Sequence, residues 1–178
     1  MDLFLICGPP ASGKSTVAAA LAERLHFRVV TNHATGNLAG CLFPFGTDEY
    51  RALNADLRIM TLERAAAAGL PGVIYTYAYR HPGSFPTIER FLAHASAPGV
   101  SSHCVHLQCS VDQLERRVVD ERRSRHSADK ITDVALLRRC LAEADYTTPY
   151  GGADTFLIST ELAPPSAVAQ QIAEHFRL

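Results

Sequence analysis

Gly8, Gly13, Lys14 and Ser15 stand at the spacing G-x-x-x-x-G-K-[ST] inside a stretch, ICGPPASGKSTVAAAL, that runs from Ile6 to Leu21. Together these residue types can hold phosphate. The two glycines let the backbone curl until successive N–H groups converge on phosphate oxygens, at a helix start whose dipole favours anions. Lys14 is placed to reach a β- and γ-phosphate, and the Ser15 hydroxyl to ligate Mg²⁺. Pro9, Pro10, Ala11, Ser12 and Thr16 complete the cradle, so residues 8 to 16 are expected to bind ATP as a group. An ordinary Gly/Pro turn could carry the same glycines, but it would not need the flanks found here. Leu3 to Cys7 reads as a short buried parallel strand, and Val17, Leu21 and Leu25 follow at helical spacing.

The elements that must position this cradle follow as short apolar runs alternating with helical periodicity. Phe27 to Thr31, Gly72 to Tyr79, His103 to Cys109 and Asp154 to Ser159 read as four further strands. A long helix is expected from about Asp48 to Ala68, with Leu53, Leu57, Met60 and Ala67 on its apolar face. The stretch FPTIERFLAHAS reads as another, and Ser110 as the N-cap of a helix running from Val111 into an arginine-rich segment. Thr132 to Asp145, with Val134, Leu137 and Leu141 inward, and a last helix opened by Pro164, Pro165 and Ser166, with Val168, Ile172 and Phe176 on its stripe, complete the chain. The residues after Thr31, rich in His, Asn and Gly, read as a loop. Such alternation implies right-handed crossovers and a parallel sheet covered on both faces, with ligands gathered at the carboxyl ends of its strands.

At 178 residues the chain is expected to be a single domain with one good core. Its formal net charge of −1 and pI of about 6.7 provide no basic field of the kind that drives nonspecific nucleic-acid binding, so a small-molecule partner is expected and a nucleic acid is not. Five scattered cysteines, with no C-x-x-C pair, read as reduced thiols in apolar company. With only a five-residue apolar run before Gly8, neither a signal peptide nor a membrane span is expected, and the cytoplasm follows. The eight histidines form no H-x-x-H or H-E-x-x-H pattern, so Mg²⁺ with the nucleotide is the only metal expected.

With these residues in view, the chain resembles the small P-loop kinases, the group holding nucleoside monophosphate, shikimate and gluconate kinases and chloramphenicol phosphotransferase. The resemblance covers the layout of essentially the whole chain. It implies a three-layer α/β P-loop NTPase fold, a five-stranded parallel sheet with helices on both faces and a small arginine-rich lid at about residues 120–131. Family members carry basic residues in the helix after the fourth strand and in the lid beyond. Here LERRVVDERRSRHSADK supplies Arg116, Arg117, Arg122, Arg123 and Arg125, which implies a nucleotide-binding Arg117 and catalytic Arg122 and Arg125. Arg80 stands where monophosphate kinases place the arginine of a D-G-F-P-R pattern, and FLISTELAPPSAV resembles the strand and loop that pass the adenine. Two carboxylates of the family pattern are replaced: Asn32 and His33 stand at the end of strand two, and Thr76 near the end of strand three.

Phosphoryl transfer through a loose transition state depends mostly on positioning and charge neutralisation, so a missing aspartate does not preclude it. His33 is the candidate base, against the plainer reading of a loop histidine bonded to backbone; Asp48 and Asp56 are weaker candidates. Arg122 and Arg125 read either as a closing lid or as a solvated helix paired with Asp112, Glu115, Asp120 and Glu121. Arg51, Asn54 and Arg58 share a face of the long helix, which in the resembling kinases walls the acceptor pocket; Arg51 or Arg58 could bind an anionic group there, or form a solvent-facing stripe. Tyr77 stands at the pocket rim or in sheet packing with Tyr75 and Tyr79. The expected function is ATP-dependent phosphoryl transfer to a small-molecule hydroxyl or phosphate acceptor by a monomer or homodimer. The alternative is a regulatory ATPase without an organic acceptor. No N-K-x-D run supports a guanine-nucleotide switch, and no apolar strand ends in an aspartate suited to a motor ATPase.

Overall fold

A computed structural model of the chain describes residues 1–96, 98–120, 130–151 and 155–178. Five parallel strands, β1 (Asp2–Cys7), β2 (Arg28–Val30), β3 (Gly72–Tyr77), β4 (Ser101–Gln108) and β5 (Phe156–Ser159), form one sheet in the order β2-β3-β1-β4-β5. Among the described residues the helices are α1 (Lys14–Leu25), α2 (Asn32–Gly40), α3 (Asp48–Ala67), α4 (Phe85–Ala95), α5 (Val111–Val118), α6 (Val134–Glu143) and α7 (Pro165–Phe176).

The strand period of two sorts the core into layers. Phe4 and Ile6 of β1 face one way and pack with Val17 and Leu21 of α1 and Val168 and Ile172 of α7. Leu3, Leu5 and Cys7 face the other way, against Ile59 and Leu62 of α3 and Ile88 and Phe91 of α4. A smaller cluster, Ala11, Leu114, Val118 and Leu137, joins the glycine loop to α5 and α6. Since β1 is central and its residues 3 to 7 are all buried, the loop that follows it springs from the most rigid part of the sheet.

Four expectations need correction. The residues after Thr31 form helix α2 rather than a loop, which places His33 in a first helical turn. The buried face of α3 is Arg58, Ile59 and Leu62, while Met60 is exposed, because the helix presents its second half to the sheet. Strand β3 ends at Tyr77, so Tyr79 leaves the sheet and is buried with its hydroxyl against His81 Nδ1 at 3.0 Å. Cys41 is exposed at the end of α2 instead of lying in apolar company. The Ser110 N-cap is present, its Oγ accepting from the Gln113 N–H at 3.3 Å.

Candidate active site

Gly8 opens the loop after β1 at φ +143°, a conformation that side chains rarely adopt, and a methyl there would lie 2.8 Å from the Leu107 carbonyl of β4. Ala11 is held left-handed at φ 65° and Gly13 at φ 93°, so the loop curls back on itself, with the Ser12 N–H donating to the Pro9 carbonyl at 3.2 Å, before α1 begins at Lys14. No side chain caps α1, which leaves the helix start to a ligand of negative charge. The Lys14 ammonium arches back and donates to the carbonyls of Gly8 at 2.9 Å and Pro9 at 2.6 Å.

The loop opens into a cavity of about 800 Å³ at the carboxyl ends of β1 and β3. Pro10, Ala11, Gly13, Lys14, Ser15 and Thr16 form one wall. The opposite wall comes from one face of α2, where His33, Gly36, Asn37, Gly40 and Cys41 recur at helical spacing, together with Phe45 and Tyr50 at the start of α3 and the turn before it. Thr76 and Ala78 form the floor; Lys130, Ile131 and Tyr146 close a side. Gly8, Pro9 and Ser12 lie behind the wall, buried.

Thr76 and Asn32, at the two positions where the sequence replaces carboxylates, meet each other. The Asn32 N–H donates to Thr76 Oγ1 at 2.9 Å, which ties the start of α2 to the end of β3. Asn32 Oδ1 in turn accepts from the buried Arg58 guanidinium at 2.5 Å, and that guanidinium also lies 4.5 Å over the Tyr77 ring. Arg58 and Tyr77 therefore brace α2 from behind and line a separate small crevice. Arg51 pairs with Asp48 at 3.0 Å on the exposed side of α3, and Arg80 is exposed. None of these four residues lines the main cavity.

Arg117 also stands outside the cavity lining, in a clamp. Its guanidinium donates to Ser12 O at 3.3 Å and Thr160 Oγ1 at 3.0 Å, and also to Thr160 O, while Thr160 Oγ1 donates to Ser12 O at 3.0 Å. The loop after β5 is thereby locked to the glycine loop. Arg122 and Arg125 lie outside the described residues, as does most of the expected lid.

Behind Lys14, at the end of β4, His106 is almost wholly buried and its Nε2 donates to Tyr146 O at 3.1 Å. Burial holds this imidazole below its ordinary pKa, and its Nδ1 has no partner among the described residues. Tyr146, whose phenol is pushed up by burial, is thereby fixed against the sheet while lining the cavity. No acidic residue is among the described residues lining the cavity, and no cluster of three potential metal ligands occurs among the described residues. Sequence reasoning missed Asn37, Tyr50, Phe45, Lys130 and Tyr146. The one local signal was the 33/36/37/40/41 spacing, hidden by the loop-forming character of its residues.

A protein-family profile described as AAA domain (AAA_33) matches residues 3–142. The chain belongs to this AAA domain family. A search among curated proteins gives no significant sequence match. Among solved structures, the tunicamycin resistance protein of Deinococcus radiodurans is similar at a TM-score of 0.68 and 20% identity, covering 100% of this chain and 97% of that one. A gluconokinase from Sinorhizobium meliloti matches at TM-score 0.65 and 18% identity, covering 99% and 91%. The APS kinase CysC of Mycobacterium tuberculosis, solved with AMPPNP and APS, matches at 0.63 and 15%, covering 99% and 98%. These likenesses give this AAA domain member the fold of the small P-loop kinases. No helix among the described residues is long and apolar enough to cross a membrane.

Proposed function

We propose that the protein is an ATP-dependent phosphotransferase acting on a small-molecule acceptor. The observation that carries this reading is a single cavity with two dissimilar ends, a phosphate cradle at the start of α1 and a second chamber walled by α2 and the start of α3. A nucleotide's triphosphate occupies the first end only, so a second ligand of small-molecule size has room beside its terminal phosphate. The kinase-like solved structures support the same reading.

In this reading residues 8 to 16 hold the phosphates through the backbone N–H groups they carry, Pro9 and Pro10 having none, and the Lys14 ammonium exchanges its carbonyl contacts for β- and γ-oxygens. The Ser15 hydroxyl suits a Mg²⁺ ion that arrives with the nucleotide: one protein oxygen, phosphates and water satisfy a cation that keeps most of its waters. Mg²⁺ would neutralise charge on the phosphates. His33, in the first turn of α2 and facing the cavity, is the group on this wall that can take the acceptor's proton. Arg117 serves the nucleotide by holding the glycine loop and the Thr160 loop together. Arg122 and Arg125 retain their proposed catalytic role.

The absence of an acidic residue from the described lining favours the second reading, a regulatory ATPase with no organic acceptor. One measurement separates the two. ADP release is followed with ATP and Mg²⁺ across a metabolite and nucleoside panel, each compound against an acceptor-free control. Acceptor-dependent turnover with a phosphorylated product is expected; identical rates with every compound would support the ATPase.

A further inference from the structure

The second chamber carries information about its occupant. Its α2 wall consists of Asn32, His33, Gly36, Asn37, Gly40 and the C-cap Cys41, a face made shallow by two glycines and offering two amides, one of them already accepting from Arg58, a thiol and an imidazole. Facing it are Tyr50 and Phe45, whose ring centroids lie 5.1 Å apart at 59°. The Tyr50 hydroxyl presses so closely on α2 that a methyl on Gly36 would come within 2.8 Å of it. Phe45 is 88% exposed although it lines the cavity, so an aromatic ring stands open at the entrance, and Leu42 in the same turn is exposed as well.

The arginines that the sequence offered for an anionic acceptor are used elsewhere. Arg58 is buried between Asn32 and the Tyr77 ring, Arg51 pairs with Asp48, and Arg80 does not reach the lining. Among the described residues, the cations that line the cavity lie in the glycine loop (Lys14) and in the segment leading to α6 (Lys130). An anion taken into a chamber walled by α2 and two aromatic rings would lose water without gaining a charge partner from that wall. A ring would instead gain stacking area and neutral hydrogen bonds.

We propose that the second ligand of this cavity is an uncharged, ring-bearing alcohol rather than a carboxylate or phosphate ester. This rests on the phosphotransferase reading for its role as acceptor. In that role its hydroxyl oxygen forms a bond to the γ-phosphorus as the bond to the β–γ bridging oxygen breaks. ADP leaves with the electron pair, and the hydroxyl proton passes to His33.

The test uses matched pairs that differ in charge: uridine and its 5′-monophosphate, and phenyl β-glucoside and phenyl β-glucuronide. Binding of each is measured by calorimetry to the full chain saturated with a nonhydrolysable ATP analogue and Mg²⁺. The uncharged member of at least one pair is expected to bind about tenfold or more tightly than its anionic counterpart. Phe45→Ala, which truncates an exposed ring and leaves the core intact, is expected to weaken that binding about tenfold without changing affinity for the ATP analogue. Equal or tighter binding of the anionic members, no binding of any uncharged member, or an unchanged affinity in Phe45→Ala would each overturn the proposal. A parallel assay with ATP reads the other premise. If the uncharged probe binds and depends on Phe45 but no ADP release follows, the ligand class stands and the phosphotransferase reading fails.

Discussion

Lys14 rests on the carbonyls of Gly8 and Pro9 at 2.9 and 2.6 Å, at the mouth of a loop whose N–H groups carry only partial charge. Removing it takes a full cation from the glycine-loop end of the cavity. Lys14→Ala is expected to weaken ATP binding about 100-fold or more, as loss of one or two charge-assisted hydrogen bonds implies, in titration calorimetry with Mg²⁺. His33→Asn should do the opposite, leaving ATP affinity nearly unchanged and lowering acceptor phosphorylation about 100-fold, since a proton acceptor acts in the transition state alone. An unaltered rate would reduce His33 to a wall residue. His106 gives a pH dependence of a different kind. Its folded pKa is depressed by burial, so below the ordinary imidazole value of 6.5 the unfolded chain binds a proton that the folded chain refuses. Stability should therefore fall as pH drops from 7.5 to 5.5, and the drop in urea midpoint should be smaller in His106→Asn. Among the thiols, burial pushes Cys7 up and Cys104 up to about 11, whereas Cys41 is exposed on the cavity wall. Thiolate is the reactive form, so a disulfide reagent at pH 7.5 is expected to label Cys41 first, by peptide mass mapping.

Strand β1 and helix α1 are joined by a loop whose first position requires a glycine. At Gly8 an alanine would meet both an unfavourable φ of +143° and a backbone carbonyl of β4 at 2.8 Å, which no side-chain rotation can relieve. Gly8→Ala should cost about 1–3 kcal/mol from backbone conformation alone, measured by denaturant unfolding, and should impair ATP binding because the loop must shift. Helix α2 is positioned from outside itself. Its Thr31 N-cap makes no side-chain cap bond, and Thr76 of β3 accepts the Asn32 N–H instead. Thr76 is thus a positioning residue for the whole α2 face of the cavity, including His33.

As a whole the molecule is a sheet whose carboxyl edge is closed on one side by the glycine loop and α5 and on the other by α2 and α3. Because Arg117 and Thr160 tie the loop after β5 to the glycine loop, and His106 ties the Tyr146 segment to β4, the cavity is braced at several distant points of the chain. A ligand that binds only this arrangement stabilises the entire fold. At a concentration 100 times its dissociation constant, ATP with Mg²⁺ would add about 2.7 kcal/mol. For a domain of this size that corresponds to a rise in Tm of roughly 5–10 °C, visible in a thermal scan of the unmodified chain and absent in Lys14→Ala.

The glycine loop and the alternation of strands and helices were legible from sequence because their causes are local. The motif is contiguous, β1 is a single apolar run, and α1, α4 and α7 carry their stripes at a fixed period. Tertiary structure decided what local signals could not. Gly36 and Gly40 each disfavour a helix by about 1 kcal/mol relative to alanine, yet α2 forms because Thr35, Gly36 and Ala39 are buried against the body of the protein. The fate of Arg58 turned on Asn32, 26 residues away, and the start of α2 on Thr76, 44 residues away. His106 found the Tyr146 carbonyl across 40 residues. A side chain's type and spacing determine what it can bind, but its partner is chosen by packing among residues far apart in the chain. The glycine loop was therefore readable in advance, while the lining of the cavity beside it emerged only when the fold had committed Arg58 to Asn32 and Arg51 to Asp48.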